Sequence, residues 1–186
     1  MRKTMAAIIA AAAFVAFGDP LMAGGVNFRL KDLEGKKVEL AQQLKKGPAL
    51  VSFWATWCHP CQDELKFLQR LYQQYSDSGL AFYAVSVDGA RDRGRVKAAV
   101  KGRGITLPVL LDPEQEVQKA FGLSEVPGLF IISTKGEIIY RHLGYKSGDE
   151  AEIRARVRDA IKGLQGSALP TDSSGAIVQP AEEDSL

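Results

Sequence analysis

The stretch that most constrains this chain is Ala49-Leu50-Val51-Ser52-Phe53-Trp54, together with the cysteine-bearing segment just after it. The run is of strand length and almost wholly apolar, without the alternation of a strand that has one wet face. It therefore reads as a strand buried on both sides, the kind found in the middle of a sheet covered by helices. Ala55-Thr56 and then Trp57-Cys58-His59-Pro60-Cys61 come directly after it. Beyond them Leu65, Leu68, Leu71, Tyr72 and Tyr75 recur at helical spacing, and Gly79 closes that helix. A buried strand thus runs straight into a helix, and in open α/β sheets the carboxyl end of such a strand is where sites form.

The rest of the chain extends this pattern. Val26 to Leu40 alternates apolar and polar residues around Asp32-Leu33-Glu34-Gly35, which predicts a hairpin. Ala41 to Lys46 is a short helical stretch stopped by Gly47-Pro48. Leu80 to Val87 is a second buried strand. Arg91 to Lys101 is a basic helix closed by Gly102 and Gly104. Val109 to Leu111 is a short extended piece, and Glu114 to Phe121 is a helix with Gly122 as its C′ residue. Leu129–Ile132 and Glu137–His142 form a second hairpin. Ser147, with Glu150 three residues on, is a capping box for a last helix carrying Ile153, Val157, Ile161 and Leu164. The order implies an α/β fold with a central mixed sheet and helices on both faces.

Composition narrows the function classes. There are 24 Lys and Arg against 22 Asp and Glu, a net charge of +2, which makes no case for binding nucleic acid or an anionic membrane. Arg2 and Lys3 precede the uncharged apolar run Ala6–Phe17, then Gly18-Asp19-Pro20 and a small residue at Ala23. Residues 1–23 therefore read as a signal peptide, too short for a comfortable membrane span, with an uncleaved anchor as the alternative. Residues 24–164 read as one folded domain. Residues 165–186, rich in Ser, Pro, Asp and Glu, read as a flexible tail. Export places the chain in the periplasm or a comparable compartment.

Cys58 and Cys61 are the two cysteines of the chain. A bridge closing so short a loop constrains the unfolded state little, so this pair is poorly suited to stapling. Its place at the start of a helix suits redox chemistry instead. Unpaired N–H groups and the positive end of the helix dipole stabilise a thiolate on Cys58, the attacking species. Pro60 fits a first turn because its missing N–H would have no partner there. Cys61, nearly one turn on, is placed to resolve a mixed disulfide. A protonated His59 would stabilise the Cys58 thiolate further and make the pair more oxidising. A zinc site wants about four Cys or His ligands, and His142 is the one other histidine, expected as an ordinary polar residue of its strand; no metal and no cofactor are expected.

The run Phe53 to Cys61, together with Val126-Pro127, resembles the active site of the thioredoxin superfamily. The hairpin at Phe28–Leu40 and an insertion over Asp88–Leu107 resemble the TlpA/ResA/CcmG branch, exported thiol–disulfide oxidoreductases of which many serve cytochrome c maturation. The resemblance spans roughly Phe28 to Leu164. It implies a thioredoxin-like fold, Cys58 as nucleophile and Cys61 as resolving thiol. It also implies Trp57 as the aromatic beside the disulfide, Pro127 as a cis-proline, and the Val126 backbone as the edge that pairs with an extended substrate. Glu64 matches a glutamate that relays protons to the resolving thiol. Ser52 stands where thioredoxin itself has a buried aspartate, which argues against a relay by that route. Gly128 stands where the family more often has threonine, and its missing side chain would widen the substrate groove.

The expected partners are protein disulfides, apocytochromes among them, with a membrane thiol–disulfide carrier as electron donor. A disulfide-forming oxidant or isomerase is the alternative within the class. A thiol peroxidase would want a threonine three residues before its cysteine, whereas Thr56 is two before Cys58. A copper chaperone would want one more residue between the cysteines.

Overall fold

The computed structural model describes residues 25–166. The expectations for residues 1–23 fall outside them, as does the tail expected over 165–186 except for its first two residues, which instead close the last helix. Seven strands form one sheet in the order β2-β1-β5-β4-β3-β6-β7. At its centre β3 (Ala49–Trp54) pairs in parallel with β4 (Ala81–Ser86) and antiparallel with β6 (Gly128–Ile132). β4 continues in parallel to β5 (Val109–Leu111). The hairpin β1 (Arg29–Asp32) and β2 (Lys37–Glu39) joins the far side of β5, and β7 (Ile138–Leu143) is the opposite edge beside β6. This is the expected mixed α/β sheet.

Every residue of β3 and β6 is buried, whichever face it points to. Side chains alternate across a strand, so both faces of the sheet are covered there. The covering comes from α1 (Leu40–Leu44), α2 (His59–Tyr75), α3 (Arg93–Gly102), α4 (Glu116–Ala120) and α5 (Asp149–Gly166). Of the stripes their periodicities anticipate, α2 buries Leu65, Leu68 and Leu71 and half-buries Tyr72 and Tyr75, while α5 buries Ile153, Val157 and Ile161 and half-buries Leu164; α2 also buries Phe67. An aromatic cluster of Phe28, Phe53, Phe121 and Phe130 fills the core by edge-on and tilted contacts with ring centroids 5.1–6.4 Å apart.

Two local expectations change. The helix expected from Glu114 begins at Glu116, because Gln115 takes a left-handed conformation (φ 57°) and breaks the turn before it. Its other end is as expected, with Gly122 as the C′ residue at φ 63°. The capping box at Ser147 does not form. Asp149 accepts the Lys146 N–H and Glu150 accepts the Gly148 N–H, so α5 begins two residues later than Ser147.

Candidate active site

Cys58 is the N-cap of α2, and His59 and Pro60 are its first two residues. The Cys61 N–H donates to Cys58 Sγ at 3.2 Å, one of the free amides at this helix end. The two cysteines form a disulfide. Cys61 is fully buried and Cys58 nearly so, at 5% exposure. Cys58 is thus the less buried of the two.

The elements that converge on the pair come from distant parts of the chain. The Val126–Pro127 peptide bond is cis, and it brings the Val126 carbonyl oxygen to 3.7 Å from Cys58 Sγ. Trp57 holds its ring in solvent at 67% exposure and, with Val126, Val87, Gln115, Gln118, Ser124 and Glu125, walls a shallow hollow of about 380 Å³. His59 and Pro60 are exposed beside the sulfur.

Further along α2 lies Glu64. It is three residues after Cys61, so the two share one face of α2. Glu64 is fully buried; its Oε2 accepts a hydrogen bond from the Ser52 hydroxyl at 2.6 Å, and its Oε1 has no partner. Burial pushes its carboxyl up to about 8, against the lowering effect of the Ser52 bond, while Asp149 adds a further raising contribution. Ser52 thus touches the carboxyl to which it was expected merely to cede the relay.

Asp88 is a further member that sequence reasoning missed. Buried two residues beyond β4, it accepts the Thr56 N–H at 2.9 Å, the Thr56 hydroxyl, and the Ser86 hydroxyl at 2.9 Å. It ties the turn that carries Trp57 and Cys58 to the neighbouring strand, and the Thr56 hydroxyl is committed to it. Its one visible signal is a polar residue at the carboxyl end of a buried strand.

Two expectations are corrected. Gly128 does not widen the groove: a Cβ there would lie 2.5 Å from Leu123 Cδ1, so the buried Leu123 side chain already fills the space. His142 is not an ordinary strand residue. Its Nε2 lies 3.0 Å from Asp149 Oδ2 and its Nδ1 3.3 Å from the Tyr140 hydroxyl, tying β7 to the start of α5. Among the described residues no group of three or more His, Cys, Asp or Glu is placed to hold a metal ion.

Comparison with known proteins agrees with this geometry. The model of the AhpC/TSA family matches residues 24–141. The thiol-disulfide oxidoreductase ResA of Bacillus anthracis is 32% identical over 126 residues, covering 68% of this chain and 71% of that protein. ResA of Bacillus subtilis (strain 168) is 34% identical over 117 residues, covering 61% and 62%. Among solved structures, an uncharacterized thioredoxin-like protein from Porphyromonas gingivalis is 35% identical with a TM-score of 0.61, covering 75% of this chain and 93% of that one. A putative thiol:disulfide interchange protein DsbE from Chlorobium tepidum shares the fold, with a TM-score of 0.68 at 22% identity over 74% and 95% of the two chains. The chain belongs to the AhpC/TSA family of thioredoxin-like proteins, and it is a thiol–disulfide oxidoreductase of the ResA type with Cys58 and Cys61 as its redox pair.

Proposed function

We propose that this chain is an exported reductant of protein disulfides, recharged by a membrane thiol–disulfide carrier and acting on partners such as apocytochromes. Cys58 attacks the partner disulfide, Cys61 resolves the mixed disulfide, and Glu64 takes the Cys61 proton. Val126 and Pro127 present a backbone edge to the extended partner, and Trp57 walls the hollow beside it.

The observation that carries the direction of electron flow is the buried Glu64 carboxyl, on the same helix face as a fully buried Cys61. Burial disfavours a thiolate on Cys61. Strong oxidants of this class owe their potential to a stabilised reduced form, and this site withholds that stabilisation from Cys61. One observation favours the oxidant or isomerase: His59 sits exposed at the first position of α2, where a protonated ring would stabilise the Cys58 thiolate.

The reduction potential of the Cys58/Cys61 couple, measured in graded thiol–disulfide buffers, separates the two. A value at or below about −230 mV supports the reductant, and one near about −120 mV replaces it with a disulfide donor whose first residue to mutate is His59. Export is tested on the protein recovered from its native compartment: an N-terminus at or near Gly24 supports cleavage after residue 23, and a retained Met1 replaces it with an uncleaved anchor.

A further inference from the structure

Ser52 lies in the middle of β3, opposite Ala84 of β4 and Leu129 of β6, and is fully buried. A hydroxyl at the centre of an apolar sheet loses its water and needs a partner. Its partner is Glu64 Oε2 at 2.6 Å, and the other carboxyl oxygen, also buried, has none. The charged groups that bear on this carboxyl from other elements come from the start of α5 and the loop before it. Asp149 disfavours a second negative charge; it is itself held below the usual carboxylate range by the Lys146 N–H and by His142 of β7. Tyr145 lies in that loop, its hydroxyl held above the ordinary phenol range chiefly by burial and by Glu150, to which it donates, and further by the Glu64 charge. Burial and Asp149 thus oppose ionisation of Glu64, and the Ser52 hydroxyl favours it.

We propose that Ser52 is a positioning residue for the resolving step: its hydroxyl holds Oε2 of the ionised Glu64, and Oε1 is left to take the proton of Cys61. The proposal rests on Glu64 being the acceptor for Cys61. Cys58 thiolate attacks one sulfur of the partner disulfide, a Cys58–partner S–S bond forms, and the partner's other sulfur leaves as a thiolate. The Cys61 thiol then gives its proton to the Glu64 carboxylate. Cys61 thiolate attacks Cys58 Sγ, the intramolecular disulfide forms, and the second partner thiolate leaves. Two electrons pass to the partner. Ser52 exchanges no proton with substrate; it sets how readily Glu64 stands ionised before the transfer. A hydroxyl donor to a buried carboxylate does this where a full carboxylate on β3 would add a second charge.

Single-turnover oxidation of the reduced protein by a symmetric nitrobenzoate disulfide, whose thiolate product is coloured, reads the steps separately. The first release reports attack by Cys58 and the second reports resolution by Cys61. Ser52→Ala is expected to slow the second release relative to the first by about tenfold at neutral pH, with its pH midpoint moved up by about one unit. Ser52→Thr, which keeps the hydroxyl, restores the midpoint. On a Glu64→Gln background Ser52→Ala adds nothing, because the group it acts through is gone. If Ser52→Ala does not fold, Ser52→Thr against its isostere Ser52→Val carries the same comparison. A wild-type midpoint in Ser52→Ala or Ser52→Val, with the midpoint abolished in Glu64→Gln, overturns the role of Ser52 and leaves the relay standing. A wild-type pH profile in Glu64→Gln overturns both.

Discussion

Leu123 occupies the volume that a side chain on residue 128 would need: a Cβ on Gly128 would fall 2.5 Å from Leu123 Cδ1 and 2.7 Å from Cδ2. Residue 128 comes directly after the cis Val126–Pro127 bond that faces Cys58, so this exchange of volume lies at the wall of the site. Gly128→Thr should cost about 1–3 kcal/mol by overpacking, and Leu123→Ala about 2–5 kcal/mol by leaving a cavity. The double variant should cost clearly less than the sum, since the new side chain fills the space the leucine vacates. Denaturant unfolding of all four proteins in the oxidised state measures this; strict additivity would show that the two positions do not share one volume.

Asp88 holds the turn before Cys58 through Thr56 and Ser86. Asp88→Ala strands three donors, one of them a backbone N–H, and should destabilise the protein by about 1–3 kcal/mol. Thr56→Val should cost less, because the Thr56 N–H and the Ser86 hydroxyl keep their acceptor. Thermal unfolding ranks them, and the reverse order would deny that Asp88 is the organising group. Attack by Cys58 on a small disulfide should also slow in Asp88→Ala as the turn loosens.

Glu64 gives stability a pH dependence of definite sign. Its carboxyl rises from 4.5 to about 8 in the folded protein, so between those values the folded state keeps a proton that the unfolded state has released. Stability from this group is full below about pH 4.5 and is lost as pH rises towards 8. Glu64→Gln should remove that loss, so the wild type should fall relative to Glu64→Gln by roughly a few kcal/mol over this window. Unfolding free energies of the oxidised proteins at several pH values test it; a difference independent of pH would mean that Glu64 is ionised in the fold.

The unequal burial of the two cysteines predicts which sulfur is trapped. Cys61→Ser should accumulate a mixed disulfide between Cys58 and a disulfide-bearing peptide, because the resolving thiol is missing. Cys58→Ser should accumulate little, since the fully buried Cys61 is out of the peptide's reach. Non-reducing electrophoresis after an acid quench counts the adducts. Equal trapping by both variants would reverse or abolish the assignment.

What can be read along the chain is local. The nearly apolar run of β3, the cysteine spacing, the proline of the first turn and the leucine period of α2 place a disulfide at the N-terminus of a helix, since each is a short-range rule of backbone and burial. The identities of most strands and helices were legible for the same reason. Which distant groups meet is set by the folded arrangement. Ser52 and Glu64 are twelve residues apart, Thr56 and Asp88 thirty-two, and Cys58 and Val126 sixty-eight. No periodicity encodes such contacts, because they depend on strand order and on which side chains share a buried volume. Leu123 against Gly128 is the plainest case: a missing side chain reads as space in the sequence, and close packing fills it from five residues away.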